Sequence, residues 1–306
     1  MTIWWQRFKE SYLLYSFRRD RVAMVSFGVL VFLILVGILA PLAAPFNPYD
    51  ADSIDIMNSE IPPSWMEAGE KSFLLGTDIQ GRDLLSTMIY GLRLSIMIGC
   101  GAVLLQALLG VMVGLAAGYL GGRVDSILMR LADIQLSFPY LMVAIFISAI
   151  FQVAFGIGRY EEMAVPLLVV IIGLAEWPVY ARTVRASVLG EKNKEYVEAA
   201  RVIGLSPGLI MIRHILPNTM TSVLVISTIQ VANAVMSEAA LSFLGLGMPV
   251  TKPSLGSLIR SGFEYIFSGS WWITLFPGFL LVILVLVINL LGDWLRDVLN
   301  PKLYKG

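Results

Sequence analysis

Apolar side chains along this chain come in long unbroken runs, and the polar residues are gathered between those runs. Residues 22–44 form the first run, 23 residues without a charge. At 1.5 Å of rise per residue such a run is long enough to cross a hydrocarbon core of about 30 Å. Its small-residue end, Ala40 to Ala44, also fits the cleavage end of a secretory signal. The apolar core of such a signal is only about 7–15 residues, so the run is read as an uncleaved spanning helix. Further runs at 94–120, 139–155, 163–180, 219–241 and 273–291 predict five more. The fold class expected is all-α and integral to the membrane, with six transmembrane helices.

The polar intervals divide the chain. Residues 1–21, basic and aromatic (Trp4, Trp5, Arg7, Lys9, Arg18, Arg19, Arg21), read as a cytosolic arm, 22–44 as the first span, and 45–90 as an extracytoplasmic segment with eight acidic residues. A core of five spans over 91–293 follows, interrupted by a polar loop at 186–217, with 294–306 as a cytosolic tail. Thr77 and Gln80 have capping-box spacing. Leu84, Leu85, Met88, Ile89 and Leu92 share one helical face, which predicts a piece lying along the outer membrane surface. Gly110, Gly114, Gly118 and Gly122 make a stripe that would let another helix approach closely. Asp133 is expected near the interface, paired or hydrated, because a carboxylate at mid-membrane costs about 2.5–3.5 kcal/mol on insertion scales. Residues 156–162 read as a short outer loop, and 248–270 as a second outer segment, re-entrant if it dips inward. Sixteen of the Lys and Arg residues fall on the side of the termini and six on the other, so the positive-inside bias puts both termini in the cytosol.

Composition narrows the chemistry. The chain is 57% hydrophobic and 14% charged, against about 25% charged in ordinary soluble domains. Its net charge of zero gives no reason to expect a nucleic-acid partner; the partner it requires is the lipid bilayer. The lone cysteine, Cys100, excludes an internal disulfide. With His214 the only histidine, no metal constellation is expected, and Lys71-Ser72 lacks the Gly of a phosphate-binding loop. No cofactor is therefore expected in this chain. Within the apolar runs, Gln230, Asn233 and Ser237 share a helical stripe and Glu238 is offset by one position. Such groups must find partners in lipid, so they are candidates for a translocation path, with interhelical hydrogen bonding equally open.

The polar island between the fourth and fifth runs has the most specific punctuation. Helix-forming residues lead to Gly204, which suits a left-handed helix stop; Leu205 follows as the apolar residue that folds back. Ser206 and Pro207 restart a helix as N-cap and first-turn residues, and Pro217 closes the unit. The stretch resembles the EAA loop of the membrane subunits of bacterial ABC importers. Glu198-Ala199-Ala200, Gly204 and Leu216-Pro217 fit that pattern, while His214 stands where the general pattern has Ile. The strings around Tyr196 to Arg201 and Arg213 to Asn218 look like the peptide-importer branch. A second resemblance, Leu75 to Ser86 continuing through Gly91 to Ser95, is to permeases of dipeptide, oligopeptide and nickel importers, of the second-permease type.

The resemblance implies a permease subunit that pairs with a second, homologous permease in the bacterial inner membrane. Two cytosolic ATPases, which would carry ATP and Mg, and an extracytoplasmic solute-binding protein complete the assembly. It further implies that Tyr196, Glu198, Ala199, Ala200, Arg201, Gly204, Leu205, Ser206, His214 and Pro217 couple the spans to an ATPase. Glu198 would lie at the corner, Ala199 and Ala200 would permit close docking, and Gly204 would make the turn. The chain itself would not be an enzyme. Di- and oligopeptides are the expected cargo; nickel, glutathione or antimicrobial peptides share the same motifs. Two other classes fit less well: a secondary transporter, for which no internal repeat is visible, and an intramembrane hydrolase using Asp133 and Glu238, which lack catalytic flanks.

Overall fold

The computed structural model describes residues 12–50 and 54–299. Most of the arm, including Trp4, Trp5, Arg7 and Lys9, lies outside the described residues, as do Asp52 and the end of the tail. Most of the described chain is helical, the main exception being the segment from Ala44 to Asp83. Among the described residues, five helices are long and apolar enough to cross a membrane, and a bent pair supplies a sixth crossing if it is counted as one span. The chain divides into two compact units, Leu94–Lys252 and the flanking Met1–Arg93 with Pro253–Gly306.

In the flanking unit, α1 (Tyr12–Arg19) leads into α2 (Arg21–Ile38), whose N-terminus is capped by Asp20 accepting from the Ala23 N–H at 3.0 Å. The loop before α3 (Leu84–Leu120) is tied down by its own polar groups. Thr77 Oγ1 accepts from the Ile61 N–H (2.8 Å) and donates to the Asn58 carbonyl (2.5 Å), so Thr77 is not the helix cap its spacing with Gln80 predicts. Asp83 takes that role, accepting from the Ser86 N–H at 2.8 Å and its hydroxyl at 2.5 Å. Leu84, Met88, Leu258, Trp272 and Ile273 form a small apolar core beneath the loop. The piece predicted to lie along the outer surface forms the first turns of α3 and is continuous with the span, in one helix of 37 residues.

Residues expected as a re-entrant outer segment contain α9 (Leu255–Phe263), nine residues with a Ser254/Ser257 capping box. At that length it cannot cross a membrane. It packs on α10 (Trp272–Leu299) so closely at Gly262 that an added Cβ would lie 2.7 Å from the backbone carbonyl carbon of Ile273. Asp78 and Arg82 form an ion pair at 2.6 Å with side chains only 1% and 3% exposed. Removing one member of a buried pair strands the other, at a cost of about 3–5 kcal/mol. Arg82→Met is expected to lower the thermal unfolding midpoint of the detergent-purified chain by several degrees; an unchanged midpoint would show that water reaches Asp78.

The central unit holds the second part of α3, then α4 (Gly122–Ser137), α5 (Tyr140–Phe155), α6 (Ile157–Glu191), α7 (Glu195–Val202) and α8 (Pro207–Phe243). The α4–α5 pair is bent by 85° at Phe138-Pro139, where proline cannot continue the first helix. Helix α5 has 16 residues, short of the roughly 20 needed to span alone. Helix α6 runs through Pro166 and Pro178 and begins at Ile157, so residues read as an outer loop are its first turn. Proline is tolerated inside a membrane helix when the freed carbonyl finds another donor. Here Pro178 leaves the Leu174 carbonyl free, and Gln135 Nε2 donates to it at 3.5 Å.

Three of the four striped glycines work as close-approach points between α3 and α6. A Cβ on Gly110, Gly114 or Gly118 would lie 2.3–2.7 Å from the Cβ of Tyr180, the Ala181 carbonyl or the Cβ of Val188 respectively. Gly122 is different: it opens α4 with φ +53°, and a Cβ there would meet nothing within 4 Å. Asp133 is paired with Arg182, and Asp125 with Arg185 through contacts of 2.5 and 2.6 Å, so two charge pairs tie α4 to α6.

Candidate functional site

The corner between α6 and α8 is built by local backbone rules. Helix α7 stops in a Schellman motif: Gly204 takes φ +84°, the Leu205 N–H reaches the Ala200 carbonyl (3.1 Å), and the Gly204 N–H reaches Arg201 (3.0 Å). Ser206 then begins α8 as N-cap without a side-chain bond, with Pro207 in the first turn. Pro217 does not end this helix. Residues Met211–Ile215 form a π-helical turn, the Leu216 N–H bonds the Met211 carbonyl, and the helix continues to Phe243. A wide turn lets a proline, with no N–H to give, sit inside a continuing helix. The second arm of the corner is therefore the start of the apolar helix itself.

The corner's inner face joins the core of the central unit through Val197, Ala200, Ile210 and Ile215, all buried, with Tyr196, Leu205 and Leu216 packed against them. Ala200, expected to permit docking of a partner, is 4% exposed and belongs to the core of the central unit. Polar contacts fasten the same face. The Tyr196 hydroxyl donates to Glu191 (2.6 Å) and accepts from Asn218 (3.2 Å), bridging the end of α6 and the start of α8. Burial, and then the hydrogen bond and charge of Glu191, push the Tyr196 hydroxyl up to about 12. Arg201 stacks over the Tyr119 ring at 5.5 Å and donates to the Lys192 carbonyl, while Lys192 Nζ donates to Gly118. His214 is half-buried, and its backbone carbonyl accepts from Asn218 (2.7 Å).

The outer face is left open. Glu198, Ala199, Gly204, Ser206 and Pro217 are exposed, beside apolar side chains that sequence reasoning did not single out. Val202 is 88% exposed, Ile203 77% and Ile212 65%. They sit at the tip, flanking the turn. Exposed apolar side chains on the arms of a corner fixed by its backbone, with Glu198 and Arg213 exposed on the same arms, have the make-up of a contact surface. The signal was present in the sequence, since Val202 and Ile203 fall between the charged helix and Gly204.

The in-span polar candidates separate into two groups. Gln230 and Asn233 border a recess of about 310 Å³ together with Gln135, Phe138, Tyr140 and Glu176. Gln230 Nε2 donates to Glu176 (2.9 Å) and reaches Gln106 (3.4 Å); Asn233 Nδ2 donates to Gln230 Oε1 (2.8 Å). Ser237 bonds back to the Asn233 carbonyl and is buried. Glu238, with no exposed surface, accepts from Ser95 on α3 (2.8 Å) and from Ser242 (2.7 Å), whose oxygen in turn accepts the Met248 N–H. Ser237 and Glu238 do not border the recess: Ser237 bonds within its own helix, and Glu238 ties α8 to α3 through Ser95. Glu176 and Gln106 were not among the sequence candidates, although a carboxylate inside an apolar run was a readable sign. Among the described residues no group of His, Cys, Asp and Glu is arranged to hold a metal ion.

Residues 106–305 match the family described as binding-protein-dependent transport system inner membrane component. Residues 2–63 match the N-terminal transmembrane domain of oligopeptide transport permease C. Curated relatives include the di/tripeptide transport system permease protein DppC of Pseudomonas aeruginosa (strain UCBPP-PA14), 38% identical over 94% of this chain and 90% of that protein. Another is the oligopeptide transport system permease protein OppC of Bacillus subtilis (strain 168), 36% identical over 94% of this chain and 88% of that protein. Among solved structures, an inward-facing MetNI methionine ABC transporter aligns with a TM-score of 0.55 at 21% identity, over 70% of this chain and 97% of that one.

Proposed function

Because the chain belongs to the family of binding-protein-dependent transport system inner membrane components, we propose that it is a permease subunit of an ATP-driven importer of di- and oligopeptides. The observation that carries the mechanism is the continuity of the corner with the spans. Helix α6 ends three residues before α7, and α8 runs unbroken from the corner to Phe243. A push on the corner is therefore a push on both helices.

Two cytosolic ATPases supply that push, and ATP and Mg are bound there, not by this chain, which is not catalytic. One ATPase seats the tip formed by Val202 and Ile203, with Glu198, Ala199, Gly204 and Ser206 around it. Tyr196, Arg201, Leu205 and His214 act from behind, holding the corner rigid on its core, and Pro217 adds to the outer face. A second, homologous permease completes the path, and a solute-binding protein delivers peptide to the side of residues 45–90. The chain lies in the bacterial inner membrane with both termini cytosolic, so that the 186–217 loop faces the ATPases. Peptide passes the recess bordered by Gln230 and Asn233. Closure of the ATPases on ATP moves the corner and opens the path outward, and hydrolysis resets it.

The energy source tests this reading. In cells carrying the complete system, labelled dipeptide uptake is expected to persist when an ionophore collapses the membrane potential and to stop when ATP is depleted. The opposite pattern would place the chain with ion-driven carriers.

A further inference from the structure

Glu176 lies inside the apolar stretch of α6, where an ionisable side chain is costly and is kept only with a partner or a task. Among the described residues it belongs to no ion pair; the four present involve Asp78, Asp125, Asp133 and Glu191. Its Oε2 accepts from Gln230 Nε2 at 2.9 Å, and among the described residues no hydrogen bond reaches Oε1. Gln230 is itself held by Gln106 and Asn233, and Gln106 Nε2 donates to the Ile172 carbonyl at 3.3 Å. Gln230 on α8, itself held by Gln106 on α3, thus fixes one carboxylate oxygen of a residue that borders the recess and leaves the other oxygen open to a ligand.

The recess has the remaining parts of a cation site. Phe138 and Tyr140 border it, and aromatic faces attract an ammonium group. It forms where the α4–α5 pair breaks, and broken helices at membrane depth are tolerated where they line a cavity. At about 310 Å³ it is large enough for one end of a small peptide. We propose that Glu176 is a substrate contact that takes the primary ammonium group of the passing peptide, a proposal resting on the import function above. The free oxygen accepts from the ammonium, the aromatic pair lies against it, and Gln230 and Asn233 offer hydrogen bonds to the first peptide group. The peptide supplies the missing counter-charge as it arrives and removes it on leaving, which keeps the contact transient.

The test uses the whole transporter, reconstituted in proteoliposomes with its partner permease, ATPases and binding protein. Uptake of alanyl-alanine, N-acetyl-alanyl-alanine and N-acetyl-alanyl-lysine is compared for wild type, Glu176→Gln and Glu176→Asp. The binding protein is common to all three, so its own selectivity cancels between variants. Glu176→Gln is expected to reduce the preference for alanyl-alanine over its acetylated form about tenfold, equivalent to about 1.4 kcal/mol. Glu176→Asp should keep most of that preference. If the lysyl peptide tracks alanyl-alanine across the variants, any primary ammonium serves; if it tracks the acetylated dipeptide, the α-ammonium is the ligand.

A second measurement does not depend on delivery or on the variants folding. In the purified wild-type complex, modification of Glu176 by dicyclohexylcarbodiimide, followed by mass spectrometry, is expected to be suppressed by alanyl-alanine and not by N-acetyl-alanyl-alanine. Equal protection by both, no protection by either, or a Glu176 that never reacts would overturn the assignment, as would an unchanged uptake preference in Glu176→Gln. A wild-type complex that imports none of the peptides would instead sink the import function on which the assignment rests.

Discussion

Gly204→Val is expected to abolish ATP-coupled uptake while leaving membrane insertion intact and ATP hydrolysis by the partner subunits running. The space around Gly204 is open, with nothing within 4 Å of an added Cβ, so the effect comes from the backbone and not from a clash. Gly204 sits at φ +84°, a conformation that costs an ordinary residue about 1–2 kcal/mol and a β-branched one more. The strain is relieved by opening the Schellman turn, which breaks the bonds from Leu205 to Ala200 and from Gly204 to Arg201. Leu205 then leaves the core, and the tip residues Val202 and Ile203 lose their fixed direction. Asparagine tolerates the left-handed region, so Gly204→Asn should keep most of the uptake. Uptake and ATP turnover in proteoliposomes check both variants; full uptake by the valine variant would show that the turn is not part of the transmission.

Gly114→Leu should have a larger effect on the fold itself. A Cβ at this position would lie 2.6 Å from the Ala181 carbonyl oxygen and 2.7 Å from the Val184 Cβ, closer than such atoms come. The neighbours are backbone and a β-branched side chain, neither able to swing aside. Helices in lipid are held by close packing and hydrogen bonds, since lipid is as apolar as the side chains, so forcing α3 from α6 removes the main attraction between them. Overpacking costs typically 1–3 kcal/mol even where the surroundings adjust, and about 3 or more is expected here. The variant should accumulate at less than about a tenth of the wild-type level in folded, monodisperse form, which size-exclusion chromatography in detergent measures. Gly28→Leu is the control, because a Cβ there meets nothing within 4 Å. If Gly114→Leu behaves like Gly28→Leu, α3 and α6 are not packed as described.

The apolar runs were readable because a spanning helix must satisfy its own backbone in lipid, and only length and hydrophobicity are needed to see it. The corner was equally readable. Gly204, Leu205, Ser206 and Pro207 each have one strong local preference, and all four agree. Helix ends failed where a local signal met a tertiary competitor. Thr77 has the right spacing for a cap, yet the Ile61 N–H and the Asn58 carbonyl claim its hydroxyl, and Asp83 caps α3 instead. Pro217 looked like a stop, and Pro178 stands inside a helix that a proline ordinarily interrupts. A π-turn absorbs the first, and Gln135 from α4 takes up the carbonyl freed by the second. Gln230 and Asn233 were found by their spacing on one helix. Glu176 and Gln106 join them only because α3 and α6 pack beside α8, and no pattern along a single helix encodes that meeting.

The most direct measurement is affinity purification of the tagged chain from mild detergent, with mass spectrometry of what accompanies it and an ATPase assay of the eluate. The expected result is a second permease and P-loop ATPases that elute with the chain, hydrolyse ATP, and are lost when Glu198 and Gly204 are changed together. A chain that elutes alone, without ATPase activity, and still moves peptide across a reconstituted bilayer would contradict the role given to the corner.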